Sequence, residues 1–266
     1  MSLPLLDARL SVRYGKQTVL TDVDLRVEEG EMVGLAGMSG SGKSSLALAL
    51  MRLLHLRGGS VSGELRLRGR DLLAISEKEM RSVRGREIAL VLQSAQAALN
   101  PALTLERQFQ LAWEAHSRVC WRSKREDVRR LLESFRLPSE PDFLGRRPDE
   151  VSVGQAQRVL IAMAMLHKPA LLVADEITSA LDPLTEREVL DVLRTANREW
   201  GTAVLFVSHN LHALVSLCHG LAVLHEGRIM ERGPSAAILR APRHDYTRRL
   251  LSTLHAPESF SPAMKR

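Results

Sequence analysis

Hydrophobic and polar positions alternate with period two in Leu6-Asp7-Ala8-Arg9-Leu10-Ser11-Val12 and again in Leu20-Thr21-Asp22-Val23-Asp24-Leu25-Arg26-Val27. One dry face and one wet face predict two antiparallel strands, with Tyr14-Gly15 at the turn between them. Further along, alternation gives way to short unbroken apolar runs: Met32-Val33-Gly34-Leu35, Ile88-Ala89-Leu90-Val91-Leu92, Leu171-Leu172-Val173-Ala174 and Val204-Leu205-Phe206-Val207. Such runs predict strands buried on both faces. Between them the period lengthens to that of a helix. The segment Ser45-Leu46-Ala47-Leu48-Ala49-Leu50 follows the first run, and Ala95 to about Leu137 carries Val128, Leu131, Leu132 and Phe135 in phase. Ser152 starts a helix bearing Val159, Leu160, Ala162, Met163 and Leu166 before Pro169 stops it, and another helix runs from about Leu184 to Trp200. Gly63 to Gly69 reads as a short edge strand and Pro138 to Pro148 as a polar connector. Leu221 to His225 and Arg228 to Glu231 read as a hairpin turned at Glu226-Gly227. The alternation of buried strands and helices predicts an α/β core with right-handed crossovers, interrupted by a helical insertion.

The first buried run leads into Gly37-Met38-Ser39-Gly40-Ser41-Gly42-Lys43-Ser44 and then a helix. A glycine loop between strand and helix is the setting of a phosphate-binding loop. Glycines at 37, 40 and 42 are expected to take backbone angles closed to other residues, so that successive N–H groups turn inward around phosphate oxygens with the helix dipole behind them. Lys43 is expected to reach the β- and γ-phosphates, and the Ser44 hydroxyl to ligate Mg²⁺. Two carboxylates, Asp175-Glu176, tip the third apolar run, and Ser208-His209 tip the fourth.

Composition narrows the setting. The 266 residues, 45% hydrophobic and 26% charged, suit a globular chain with a well-filled core. No apolar run approaches the ~20 residues of a membrane-spanning helix, and the first residues lack an export signal, so a cytosolic chain is expected. Cys120 and Cys218 have no CxxC or Cys/His neighbourhood and are expected to be reduced, packed thiols. The net charge of +6 comes with only 4% aromatic residues and with basic residues scattered or paired with acids. That balance argues against nucleic acid and for a solvated surface, one that would also suit apposition to an anionic membrane face.

Taken together, these features resemble the nucleotide-binding subunits of ABC transporters over essentially the whole chain. Gly37 to Ser44 is the Walker A loop, and the Walker B strand ends in Asp175 followed by Glu176. The signature helix begins at Val151-Ser152-Val153-Gly154-Gln155, and a D-loop reads Ser179-Ala180-Leu181-Asp182. Gln93 and His209 stand at the family's Q-loop and switch positions, and Tyr14 at its adenine-stacking position. The resemblance implies a P-loop NTPase (RecA-like) core with an antiparallel β subdomain, formed by residues 1–93 and 167–240. It implies a helical subdomain at 94–166 and a family-specific tail at 241–266. It further implies ATP and Mg²⁺, the nucleotide being held by Tyr14, Gly37, Met38, Ser39, Gly40, Ser41, Gly42, Lys43, Ser44 and Ser45. The metal would be held by Ser44, Asp175 and Gln93. Glu176 would be the general base, a role worth on the order of 10²–10⁴ in rate, and His209 would contact the γ-phosphate. Ser152, Gly154, Gln155 and Asp182 would face the ATP of a second subunit, identical or homologous, so that one chain completes neither site.

Local details resemble the peptide and nickel importers of that family. Gln93 is followed by Ser94-Ala95-Gln96-Ala97-Ala98-Leu99-Asn100-Pro101, and Ala241 to Leu251 resembles the group's C-terminal segment, with Asp245 in place of proline. The resemblance implies two separate permease subunits, an indirectly coupled solute-binding protein and residence on the cytoplasmic face of the inner membrane. Two departures stand out. In the signature, Val151 replaces the usual leucine and Val153 the first glycine, the latter, being β-branched, expected to resist a positive φ; Ile177 replaces the proline after the base and is expected to loosen that turn. The alternatives are a soluble ABC ATPase acting on ribosomes or DNA, and a weakly hydrolysing regulatory subunit, which Val153 favours and Glu176 and His209 disfavour.

Overall fold

The computed structural model describes residues 3–179, 181–252 and 254. The chain opens with β1 (Leu6–Tyr14) and β2 (Gln17–Val27), and β3 (Met32–Ala36) then runs into α1 (Lys43–Leu50). β4 (Gly59–Leu67), β5 (Arg70–Asp71) and α2 (Glu77–Val83) precede β6 (Ile88–Val91). Five helices follow without an intervening strand: α3 (Ala95–Ala98), α4 (Leu105–Glu114), α5 (Trp121–Ser134), α6 (Pro141–Gly145) and α7 (Val153–Ala164). β7 (Leu171–Asp175), α8 (Pro183–Trp200), β8 (Ala203–Ser208) and α9 (Leu211–Leu217) restore the alternation. β9 (Gly220–His225), β10 (Arg228–Pro234), α10 (Ser235–Arg240) and α11 (Asp245–Ser252) complete it.

Two sheets result. The period-two segments pair antiparallel as expected, Leu6 opposite Val27 and Leu10 opposite Val23, in a sheet of order β2-β1-β4-β5. The unbroken apolar runs form the other, of order β10-β9-β3-β8-β7-β6, in which β9, β3, β8, β7 and β6 are parallel. Successive side chains of a strand point to opposite faces, and here each face feeds its own core. Val33, Leu35, Val173, Leu205 and Val207 pack with α1 and the antiparallel sheet. Met32, Leu172, Ala174, Val204 and Phe206 pack with α7, α8, α9 and the helical insertion, whose Phe109, Val128, Leu132, Phe135 and Phe143 are fully buried. Arg158 of α7 fastens that insertion: its guanidinium donates to the carbonyls of Phe135 and Arg136 and pairs with Glu188 of α8 at 3.1 Å.

Several local expectations change. The strand expected at Gly63–Gly69 is longer, Gly59–Leu67, and is not an edge, because β1 flanks it along its length and the two-residue β5 lies on its other side. The helical stretch expected from Ala95 to Leu137 divides into three helices. The polar connector from Pro138 to Pro148 contains α6, whose Phe143 and Leu144 are buried. Cys218 is packed, its thiol pushed up to about 12 by burial, whereas Cys120 is exposed immediately before α5 and is not a packed thiol.

Candidate functional site

In a parallel sheet all carboxyl ends lie on one edge, where ligand crevices form. Four adjacent strands here end at that edge in chemistry-bearing segments: β3 in the glycine loop, β8 in His209, β7 in Glu176 and β6 in Leu92-Gln93. A cavity of about 600 Å³ lies there, lined by Val19, Met38, Ser39, Gly40, Gly42, Lys43, Ser44, Ser45, Gln93, Glu176 and His209.

The loop owes its course to its glycines, though not all for the same reason. Gly40 and Gly42 take positive φ, +80° and +105°, as expected. Gly37 does not; a Cβ there would sit 2.5 Å from the Leu224 carbonyl oxygen, so its requirement is space rather than backbone angle. The buried Lys43 ammonium donates to the carbonyls of Gly37 (2.8 Å) and Met38 (3.0 Å) and lies 3.5 Å from Glu176 Oε1. Glu176 Oε2 lies 2.7 Å from His209 Nδ1. An ionised carboxylate only accepts, so this contact requires the proton on Nδ1. Glu176 is mostly covered and His209 mostly exposed, at 13% and 61% side-chain exposure, so the histidine forms the cavity's outer wall.

Glu176 has φ +54°, a left-handed conformation costly for a side-chain-bearing residue. The turn that holds it is tight. Its N–H donates to the Val207 carbonyl, and its own carbonyl accepts from the Ser179 N–H and hydroxyl. Ile177, standing in the proline position, is buried, and the turn's hydrogen bonds are made with isoleucine there. Asp175 is buried beside Ser44. Burial pushes its carboxyl above the ordinary range, the Ser44 hydroxyl opposing and Glu176 adding to the shift, and its Oδ1 has no hydrogen-bond partner. A buried, unpartnered carboxylate oxygen next to a serine hydroxyl is a donor set that fits a hard divalent cation.

Tyr14 stands at the rim rather than in the lining: its ring lies over Gly59 and its hydroxyl is 3.4 Å from Ser45 Oγ. Ser41, a loop residue, is turned inward and buried, its hydroxyl without a partner. Ser152, Gly154, Gln155 and Asp182 are not brought to the cavity. Ser152 is the N-cap of α7 in a reciprocal capping box with Gln155. Asp182 caps α8 through the N–H groups of Leu184 and Thr185 and also accepts from the Thr185 hydroxyl. Gly154 touches that same threonine, whose Cγ2 a Cβ would meet at 2.3 Å. Val153 is the first helical residue, exposed, with no positive φ, so the expected backbone conflict does not arise. Of the expected D-loop, Ala180 lies outside the described residues.

Val19 lines the cavity without belonging to any motif. It falls where the β1–β2 register slips between Leu10 and Arg13, and a bulge of this kind leaves no mark in an alternating pattern.

The family model described as ABC transporter matches residues 20–179. A putative peptide import ATP-binding protein of Brucella ovis is 38% identical over 262 residues, 94% of this chain and 78% of the relative. A probable D,D-dipeptide transport ATP-binding protein of Escherichia coli K12 is 39% identical, covering 93% of this chain and 75% of its own. Among solved structures, an ATP-binding subunit of an ABC transporter superposes with TM-score 0.74 at 29% identity, over 95% of this chain and all of the other. A dimeric ATP-binding cassette in a post-hydrolysis state with ADP and Pi superposes with TM-score 0.71 at 26% identity, over 85% and 98%.

Proposed function

The chain belongs to the ABC transporter family, is an ATPase of the P-loop α/β fold, and on that premise we propose that it powers import of peptides through separate permease subunits. The observation that carries the reading is the convergence of Lys43, Glu176, His209 and Gln93 with the glycine loop in one cavity. The peptide cargo rests on the relatives, which are named for peptide and D,D-dipeptide transport.

The residues divide the work. The uncapped N-terminus of α1 and the loop N–H groups take the phosphates. Lys43, aimed by the carbonyls of Gly37 and Met38, keeps those contacts and exchanges Glu176 for phosphate oxygens. That exchange frees Glu176 Oε1 to accept from a water, while His209 keeps Oε2 in place. The carboxylate thereby becomes an oriented base. Ser44 and Asp175 would hold Mg²⁺, with Gln93 behind a water, and the metal would neutralise charge on the phosphates. Tyr14 would stack the adenine from the rim. Residues 94–166 would be the helical subdomain, 1–93 with 167–240 the core and 241–266 the tail.

Ser152, Gly154, Gln155 and Asp182 lie outside the cavity, which supports a second cassette, identical or homologous, whose capped helix closes this chain's site while this chain closes its partner's. Among the described residues no helix is long and apolar enough to cross a membrane. Attachment to the cytoplasmic face of the inner membrane would come through the permeases, and a solute-binding protein would select the cargo.

Glu176→Gln tests the assignment. It should retain ATP, lose turnover by at least about a hundredfold and accumulate as a dimer in size-exclusion chromatography; wild-type turnover would remove Glu176 as the base.

A further inference from the structure

The segment after β10 reaches the back of the phosphate loop. β9 runs parallel to β3 with Val223 opposite Ala36, so its last residues lie behind Gly37; this is why the Leu224 carbonyl leaves no room for a side chain there. On the next residue, His225, the ring of Tyr246 is stacked at 3.7 Å between centroids and 14° between planes. Tyr246 is buried, and its hydroxyl accepts the N–H of Met38 at 3.3 Å. Its approach is anchored. Glu231 of β10 accepts the N–H groups of Arg243 and His244, and His244 Nδ1 accepts the Tyr246 N–H.

The bonded N–H belongs to the peptide unit between Gly37 and Met38, and the carbonyl of that same unit accepts from Lys43 Nζ at 2.8 Å. A peptide unit is planar and trans, so its N–H and C=O point in opposite directions and turn together. Tyr246 on one side therefore sets the direction of the carbonyl that holds Lys43 on the other. We propose that Tyr246 is a positioning residue for nucleotide binding: through the Gly37–Met38 peptide plane it pre-orders the loop and the lysine. The inference rests on the ATPase reading above. Without the hydroxyl the plane is free to rotate, and nucleotide has to order it on binding, which weakens affinity and leaves the chemical step unchanged.

The test compares two variants of the full chain by calorimetric titration with Mg-ADP and by ATP turnover. Tyr246→Phe keeps the ring on His225 and removes only the acceptor. It should raise the dissociation constant and KM about three- to tenfold, the range of one hydrogen bond, with kcat unchanged and with faster hydrogen exchange at the Met38 amide. Leu251→Ala removes a buried side chain of the same helix without touching the loop; it should lower Tm and leave nucleotide affinity unchanged. Equal affinity of Tyr246→Phe and wild type overturns the proposal. So does a loss of affinity in both variants that tracks their loss of Tm, since that would make the role structural. Failure of the wild-type chain to bind Mg-ADP would instead sink the ATPase reading.

Discussion

The start of α1 and the start of α7 are both helix N-termini preceded by polar residues, yet they differ in what their N–H groups are bonded to. Gly42 precedes α1 with no side-chain cap and no acid in the first turn, and the loop before it curls around a cavity. Ser152 precedes α7 in a closed capping box, and Asp182 takes two N–H groups at the start of α8. The orphan donors of a helix start must find partners. At α1 they are left for a ligand; at α7 and α8 the chain satisfies them itself. The first region therefore has free donors facing a cavity within one molecule. The second is a finished surface whose serine oxygen already accepts, and it has a hydroxyl proton to offer only to something that comes to it.

Breaking the first region should give the largest effect. Lys43→Ala removes the charge that the loop carbonyls and Glu176 jointly hold, and nucleotide affinity and turnover should each fall by at least about a hundredfold; equilibrium binding of a fluorescent ATP analogue checks it. In the second region, Ser152→Ala should cost about 1 kcal/mol of stability from the lost cap, read by urea unfolding. Nucleotide affinity of the isolated chain should not change, and turnover should fall only where two cassettes assemble. If affinity of the single chain fell as well, the contrast between the regions would be lost.

The smallest effect is a pH dependence at Asp175. Because burial raises its carboxyl pKa, opposed by Ser44 and assisted by Glu176, the folded chain holds that proton more tightly than the unfolded chain. Its contribution to stability is complete below the ordinary carboxylate range and is lost as pH rises through the raised value. Asp175→Asn should therefore melt above wild type at neutral pH without metal, and the gap should close in acid. A gap that does not depend on pH would place the benefit elsewhere.

Much of this arrangement was legible from sequence because it is written locally. An unbroken apolar run, a glycine loop and a helical period sit side by side from Met32 to Leu50, and Asp175-Glu176 and His209 follow directly on buried strands. What escaped depends on contacts distant in the chain. Gly37 is small because of Leu224, Val19 reaches the cavity through a slipped register, and Gly154 is small because of Thr185. The conflict expected of Val153 depends on φ, which a motif does not carry. Tyr246 stands 208 positions from the N–H it accepts. Its segment matched a pattern, but no pattern tells where a tail folds back.

The six-stranded sheet also acts as a partition. Along β8, Val204 and Phe206 answer to the helical side while Leu205 and Val207 answer to the β side. Neighbouring letters of one word thus belong to two separate texts, and either can be rewritten alone. The helical arm is free to drift toward a new docking partner, residue by residue, while the floor beneath α1 keeps its spelling.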